Sequence, residues 1–416
     1  MGIVVMKFGG SSVADAEKIR SAARRAIATR QGGNQVVMVV SAMGDTTDDL
    51  IALAKQVTDS PPKREMDQLL VTGEQVTIAL VAMALESLGQ PAISFTAGQI
   101  GMITDDVHTK ARIKSIDVRR VHQELQQGRI VIIAGFQGIT QDGAMTTLGR
   151  GGSNVTLVAI AAALKADVCE NYTDVDGIYT ADPRVVPTAR KIDTISYDEM
   201  LELASLGANV LHNRAVEFAK KYNVPIHVRS SLNNNEGTMI VAETEIMERI
   251  AVSGAALKEK LARVSLKNVP DKPGVAARIF HTIAASNIVV DDIIQTVGDD
   301  GKAAVSFTVE LADLGDVRKI VEKLCQDLPC QAAFDDQLAK VSVVGVGMRV
   351  HTGVAEKMFS ALARAGINIA NITTSEIKIS CLIDRQQGKE ALKLVHDAFE
   401  LGKVPSTRKK AAAAKK

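Results

Sequence analysis

From residue 1 to about 240 the chain alternates short apolar runs with helical segments, and glycine clusters sit where a run ends and a helix begins. Residues 3–8, 35–40, 129–134, 166–172 and 225–228 read as strands, and 14–27, 154–164, 197–206 and 214–222 as helices. Alternation of this kind builds a mostly parallel sheet with helices on both faces, because parallel strands need crossovers that lay helices over the sheet. Ligands on such sheets gather where strands end in glycine loops.

The pattern breaks at the turn-rich Ser231-Leu-Asn-Asn-Asn-Glu-Gly237. Beyond it lies an internal repeat. Gly274-Val-Ala-Ala-Arg-Ile-Phe280 is echoed by Gly353-Val-Ala-Glu-Lys-Met-Phe359, an offset of 79, and Ser286-Asn-Ile-Val-Val290 falls against Ala365-Gly-Ile-Asn-Ile369 at the same offset. Each copy reads strand, glycine turn, amphipathic helix, strand. Two α+β units this small cover their apolar faces best by pairing. The expected division is 1–245, 260–335, 340–402 and a basic, low-complexity tail at 403–416.

Charge excludes some partners. Lys and Arg number 49 against 48 acids, but five of the bases crowd the last nine residues, so the rest carries 44 bases against 48 acids. A near-neutral body with 3% aromatics and no Trp gives no reason to expect nucleic acid or an anionic membrane. The start lacks the charged lead and cleavage site of a signal peptide, and no stretch reads as a membrane span. Cys169, Cys325, Cys330 and Cys381 lack metal-ligand or CxxC spacing and read as spectator thiols of a reducing cytoplasm. His108, His212 and His227 read as hydrogen-bonded residues rather than metal ligands, and no G-x-x-x-x-G-K-[ST] or G-x-S-x-G sequence occurs.

Three glycine-rich stretches at strand ends suit phosphoryl chemistry. Lys7-Phe-Gly-Gly-Ser-Ser12 sets a lysine before two glycines whose amides can approach an anion. Thr147-Leu-Gly-Arg-Gly-Gly-Ser-Asn154 offers the planar fork of Arg150 to a carboxylate at a helix start. Tyr172-Thr-Asp-Val-Asp-Gly-Ile-Tyr-Thr-Ala-Asp-Pro-Arg184 supplies acids and hydroxyls for a nucleotide and its magnesium. Each stretch alone is also explained by a tight turn or a helix cap.

Together with Val40-Ser-Ala-Met-Gly44, Thr46-Thr-Asp-Asp-Leu50 and Gly73-Glu74, these stretches in this order resemble the aspartokinase family over nearly the whole chain. The resemblance implies an amino-acid kinase fold, a three-layer α/β/α domain with a mostly parallel sheet, followed by two ferredoxin-like α+β ACT domains. It implies transfer of the γ-phosphoryl of ATP, with Mg²⁺, to the side-chain carboxylate of L-aspartate, giving 4-phospho-L-aspartate at the head of the route to lysine, threonine and methionine. Lys7, Gly9, Gly10 and Ser41 would meet phosphates; Thr173, Asp174, Tyr179 and Arg184 would line the adenosine and phosphate side. Thr46, Glu74, Arg150, Gly151, Gly152 and Ser153 would hold aspartate, with Glu74 at the ammonium and Arg150 at a carboxylate. No metal ligand from the protein is expected; magnesium would come with the phosphates.

Two positions depart from the family pattern. Asn154 stands where an aspartate orients the active-site lysines, and Asn209 where a second lysine meets ATP phosphate. Arg214 is the candidate replacement cation. These departures motivate a second reading, a catalytically weakened, effector-sensing paralogue.

In the repeats, Asn268-Val-Pro-Asp-Lys-Pro-Gly274 resembles the effector loop of a first ACT unit, followed by the strand 287–295, and Asn368–Glu376 resembles the partner strand of the second. The implied effector set is Asp271, Gly274, Val275, Asn287, Asp291, Gln295, Asn368, Asn371, Ser375 and Glu376, binding lysine, threonine or both. A homodimer or homotetramer through the ACT domains, in the cytoplasm, is expected.

Overall fold

A computed structural model describes residues 2–149, 151–207, 211–286, 288–298 and 301–403. The chain forms two compact units, one of residues 1–179 and 191–247, the other of 180–190 and 248–416.

The first unit is built on an eight-stranded sheet of β1 (Ile3–Phe8), β2 (Gln35–Val40), β3 (Ala92–Phe95), β4 (Ile130–Ala134), β5 (Val168–Thr173), β6 (Thr194–Ser196), β7 (Ile226–Ser230) and β8 (Thr238–Val241). Their order is β6-β8-β7-β5-β1-β2-β4-β3, parallel except for the β7–β8 pair. Central β2 and β4 are buried along nearly their whole length, which is why they read as unbroken Val/Ile runs. Helices α1 (Ala16–Gln31) and α3 (Lys63–Ser87) cover one face, packing Ile19, Ala22, Ile78, Val81 and Leu85 on Met6, Phe8 and Met38. Helices α5 (Gly152–Leu164), α6 (Tyr197–Ser205) and α7 (Asn213–Tyr222) pack together, α5 against β1, β2 and β5 and α6 against β6 and β8. The shorter α2 (Thr46–Val57) lies against α3, and α4 (Arg119–Gln126) against β4. A small sheet of Ile103–Thr104, Ile113–Ser115, Gln137–Ile139 and Met145–Thr147 leads into α5.

The expectation of no membrane-length stretch is corrected at α3, whose 25 residues are long and apolar enough to cross a bilayer. Its apolar residues instead serve the core, with Leu70, Val71, Ile78, Val81 and Leu85 buried.

The second unit carries two antiparallel four-stranded sheets. One has the order β11-β12-β10-β13, from β10 (Leu261–Pro270), β11 (Val290–Val297), β12 (Lys302–Glu310) and β13 (Gln331–Asp335), with α8 (Val275–Ala284) and α9 (Leu314–Asp327). The other, β9-β14-β16-β15, combines β9 (Gly254–Lys258), β14 (Leu338–Val344), β15 (Asn371–Thr374) and β16 (Lys378–Asp384) with α10 (Val354–Arg364) and α11 (Gly388–Ala398). Because β9 precedes the first sheet in the chain, the first repeat is inserted into the second. Both repeats enter their first helix through a glycine with left-handed backbone, Gly274 at φ 92° and Gly353 at φ 83°, a geometry that glycine adopts without a Cβ clash.

Residues 180–190 form a strap in this second unit. Thr180 and Arg190 close its base through Thr180 N–H to Arg190 O (2.8 Å) and Arg190 N–H to Thr180 Oγ1 (2.9 Å). Ala181 and Val186 are buried in one core with Val252, Val395 and Leu401, and Thr180 Oγ1 lies 3.1 Å from Nε2 of the fully buried His396.

Candidate active site

Lys7 is the penultimate residue of β1 and is buried. Burial pushes its pKa down to about 8, opposed by the charge of Asp174. The strand then turns through Gly9 and Gly10. A Cβ on Gly10 would stand 2.9 Å from the carbonyls of both Ala42 and Gly44, so the two turns interlock only with glycine here, and Gly44 N–H donates to Gly10 O (3.1 Å). Ser41 continues β2 beside them, its N–H donating to Phe8 O (3.1 Å).

The second turn is held by Glu74 of α3. Ala42 N–H donates to Glu74 Oε1 (3.1 Å), Glu74 is 2% exposed, and its Oε2 has no partner. Burial pushes this carboxyl up to about 7, with the Ala42 amide pulling the other way. Gly73 lets α3 approach: a Cβ there would sit 2.8 Å from Ala42 Cβ and 3.6 Å from the Thr46 methyl. Thr46 starts α2 and donates its hydroxyl to Met43 O (2.6 Å). Lys7, Gly9, Gly10, Ser41, Thr46 and Glu74 are thus linked through contacting turns.

The loop before α5 is shaped by close approaches. A Cβ on Gly135 would meet Ser153 Oγ at 2.8 Å and Val40 O at 2.9 Å, which sets Ser153 at the end of β2. Gly149 and Gly151 have φ 79° and 69°; a Cβ on Gly151 would strike His212, and one on Gly152 would reach the Phe136 ring at 2.8 Å. Asn154 lies in the first turn of α5 with its Oδ1 buried and unpartnered. Arg150 and Asn209 lie outside the described residues, as do Asn287 and the tail 404–416. Arg214, the candidate replacement cation, is committed elsewhere: it donates to Leu148 O (2.6 Å) and Ala111 O (3.1 Å), bracing this loop.

Sequence reasoning missed Asp67. Fully buried in α3, it accepts from Thr109 N–H (3.0 Å) and the Thr147 hydroxyl (2.5 Å), and lies 2.7 Å from His108 Nδ1. It therefore anchors the strand that delivers the second glycine loop. The signal was available: Asp67 and Glu74 stand seven apart on the apolar face that also presents Leu70, Val71 and Ile78.

In the third stretch, Thr173 donates its hydroxyl to Asp174 Oδ1 (3.1 Å), and Ser231 N–H donates to Thr173 O (2.8 Å). Asp176 accepts from the side-chain amides of Asn233 (2.6 Å) and Asn235 (3.1 Å), and Ser12 Oγ donates to Ser231 Oγ (2.8 Å). The turn-rich segment after β7, read as a break, thus joins the first and third loops. Tyr179 bridges to Lys191 at the edge of this unit, and burial raises its phenol. Arg184 lies in the strap of the second unit, paired with Asp182 at 2.7 Å. Among the described residues no group of three or more His, Cys, Asp or Glu could hold a metal ion.

The effector candidates fall into separate places. Asp271, Gly274, Val275 and Gln295 line a 360 Å³ pocket in the first repeat, and Ser375 and Glu376 line a 520 Å³ pocket with Arg349, His351 and Gly353 in the second. Asp291 is engaged by the buried Lys340 of β14 (2.8 Å), which also pairs with Asp292. Asn368 is exposed, and Asn371 turns its Oδ1 to accept from Ile372 N–H (2.9 Å).

The parallel sheet, its glycine loops and the paired antiparallel domains define an amino-acid kinase carrying ACT domains. Residues 2–230 match the amino acid kinase family, and 263–328 and 341–399 match ACT domains. Aspartokinase 2 of Bacillus subtilis is 50% identical over 407 residues, covering 98% of this chain and all of that protein. An aspartokinase of Mycolicibacterium smegmatis is 51% identical over 411 residues, 97% of each chain. Among solved structures, E. coli aspartokinase III in complex with aspartate and ADP superposes with a TM-score of 0.80 at 26% identity, covering 95% of this chain and 99% of that one. The chain belongs to the aspartokinase family and is an aspartate kinase.

Proposed function

We propose that the interlocked turns of the first unit hold ATP and L-aspartate side by side, and that the substrate's side-chain carboxylate attacks the γ-phosphorus in line to give 4-phospho-L-aspartate. The observation that carries this reading is a pair of buried groups of opposite charge with no ion-pair contact, Lys7 before the first turn and Glu74 bound to the second, the two turns being locked together at Gly10, Ala42 and Gly44. Uncompensated buried charges are costly, and a substrate with an ammonium beside a polyphosphate would neutralise both. A carboxylate nucleophile is already ionised at neutral pH and needs no general base.

In this reading Lys7, Gly9, Gly10 and Ser41 take the phosphates, Thr173, Asp174 and Tyr179 the nucleotide, and Thr46, Glu74, Arg150, Gly151, Gly152 and Ser153 the aspartate. Roles for Arg184 and Asn209 at the nucleotide, and for Asn154 in orienting Lys7, belong to the same proposal. Magnesium arrives with the phosphates. The catalytic domain is 1–245 without the strap at 180–190, and the ACT domains are 260–335 and 340–402, the second completed by β9; the enzyme works in the cytoplasm and feeds the route to lysine, threonine and methionine. Lysine, threonine or both act on the ACT domains; a neighbouring structure of E. coli aspartokinase III with lysine and aspartate supports this. Assembly through those domains as a dimer or tetramer is supported by exposed apolar residues on the edge strands β11 and β15, namely Ile293, Val297 and Ile372.

Trapping the acyl phosphate as a hydroxamate, with aspartate, ATP and magnesium, tests the reaction. Turnover with aspartate and none with glutamate is expected. Effector binding without turnover would favour the weakened paralogue motivated by Asn154 and Asn209.

A further inference from the structure

Three polar atoms lie buried and bare near the carboxyl ends of β1 and β5. Asn171 is 1% exposed and neither its Oδ1 nor its Nδ2 has a partner; the Oδ1 of Asn154 is in the same condition. Lys7, buried alongside, has no hydrogen-bond acceptor among the described residues, and Asp174 acts on it only through its charge. Such orphans are costly, and native proteins rarely keep them without use.

Their placement relates them. Lys7 and Asn171 are register partners in the parallel β1–β5 pair, so their side chains leave the same face of the sheet. Met6, Phe8 and Tyr172 occupy the opposite face, packed on α1 and α3. The Lys7 face is covered by α5, whose first turn holds Asn154. The groups are also complementary: an ammonium that only donates, a carboxamide with one donor and one acceptor, and a carbonyl oxygen that accepts.

We infer that Asn171 is a positioning residue for Lys7: in the nucleotide-bound enzyme its Oδ1 accepts from Lys7 Nζ and its Nδ2 donates to Asn154 Oδ1, a neutral relay fixing where the ammonium meets phosphate. This inference rests on the proposed seat of the phosphates at Lys7. The relay gives Asn154 a task as an acceptor without a carboxylate, and it holds Lys7 without cancelling the charge that the phosphoryl group needs.

Asn171→Leu keeps the branched shape and removes both polar ends. It is expected to lower kcat 10- to 100-fold in the hydroxamate assay while the KM for aspartate stays within twofold. Asn171→Asp restores an acceptor for Lys7, and Asn154 can turn its own amide toward it, so kcat should return to within about threefold of the native value. If Asn171→Leu does not fold, Asn171→Ala replaces it with the same expectation. Unchanged kcat accompanied by a raised Tm overturns the relay, as that is what removing an idle buried amide does; equal losses in the Leu and Asp variants overturn it too. A native protein that makes no hydroxamate refutes the aspartate reading instead. MgATP binding then decides the relay, tenfold weaker in Asn171→Leu if it stands and unchanged if it falls.

Discussion

Replacing Glu74 with glutamine separates the charge of this side chain from its shape. Glutamine can still accept the Ala42 amide hydrogen bond, so the interlocked turns stay closed while the buried anion disappears. Burial holds this carboxyl at about 7 against an ordinary 4.5. At about 1.36 kcal/mol per pH unit, that difference makes the ionised group cost the ligand-free protein roughly 3 kcal/mol. Between pH 4.5 and 7 the folded state holds the proton that the unfolded chain has released, so native stability falls as pH rises through this window and then levels off. Glu74→Gln should therefore stabilise the ligand-free protein by roughly 3 kcal/mol at pH 8 and by little at pH 4.5. The same change removes the proposed partner of the substrate ammonium, a charged hydrogen bond worth about 1.5–3 kcal/mol, so the KM for aspartate should rise about 10- to 100-fold. Urea unfolding at the two pH values, with hydroxamate kinetics at pH 8, provides the measurements. An equal stability change at both pH values would refute the burial account, and an unchanged KM would refute the assignment of Glu74 to aspartate.

Lys7→Met should lower kcat about 10²- to 10³-fold; because burial depresses this lysine to about 8, it should also stabilise the ligand-free protein below pH 8, an advantage that fades toward pH 10.5. Asp67→Ala should cost about 3–5 kcal/mol by urea unfolding, because it strips partners from His108, Thr109 and Thr147 at once, and kcat should fall with it as the second glycine loop loosens. In the second unit, Lys340→Met should destabilise by about 3–5 kcal/mol by leaving the buried Asp292 without its cation, and adding Asp292→Asn should recover part of that loss in the same measurement. Asp271→Ala should raise the concentration of lysine or threonine needed for half-inhibition at least tenfold with kcat unchanged; inhibition by both left intact would misplace the effector site.

The strands of the first unit were legible because parallel strands buried on both faces become runs such as Gln35–Val40 and Ile130–Ala134, which no amphipathic helix would carry. The glycine turns were legible because close approach leaves no alternative at Gly10 or Gly151. The 79-residue echo was visible because both repeats enter a helix through the same left-handed glycine. What escaped depended on distant partners. Nothing local marks Gly254–Lys258 as a strand of the second regulatory sheet, since its neighbour β14 comes some eighty residues later. Asn233 and Asn235 look like turn residues until Asp176 is seen to accept from both. Asn171 sits in a strand pattern where one amide is easily passed over, and only its missing partners single it out.

The strap at 180–190 also limits how the polypeptide can be cut. A fragment beginning near Glu248 would lack Ala181 and Val186 and leave Val252, Val395 and Leu401 uncovered, while a fragment ending there would carry those two greasy side chains with no place to bury them. Halves severed at the obvious boundary should be stickier than the intact enzyme, and a regulatory half made alone should gain solubility when the missing eleven-residue peptide is supplied in trans.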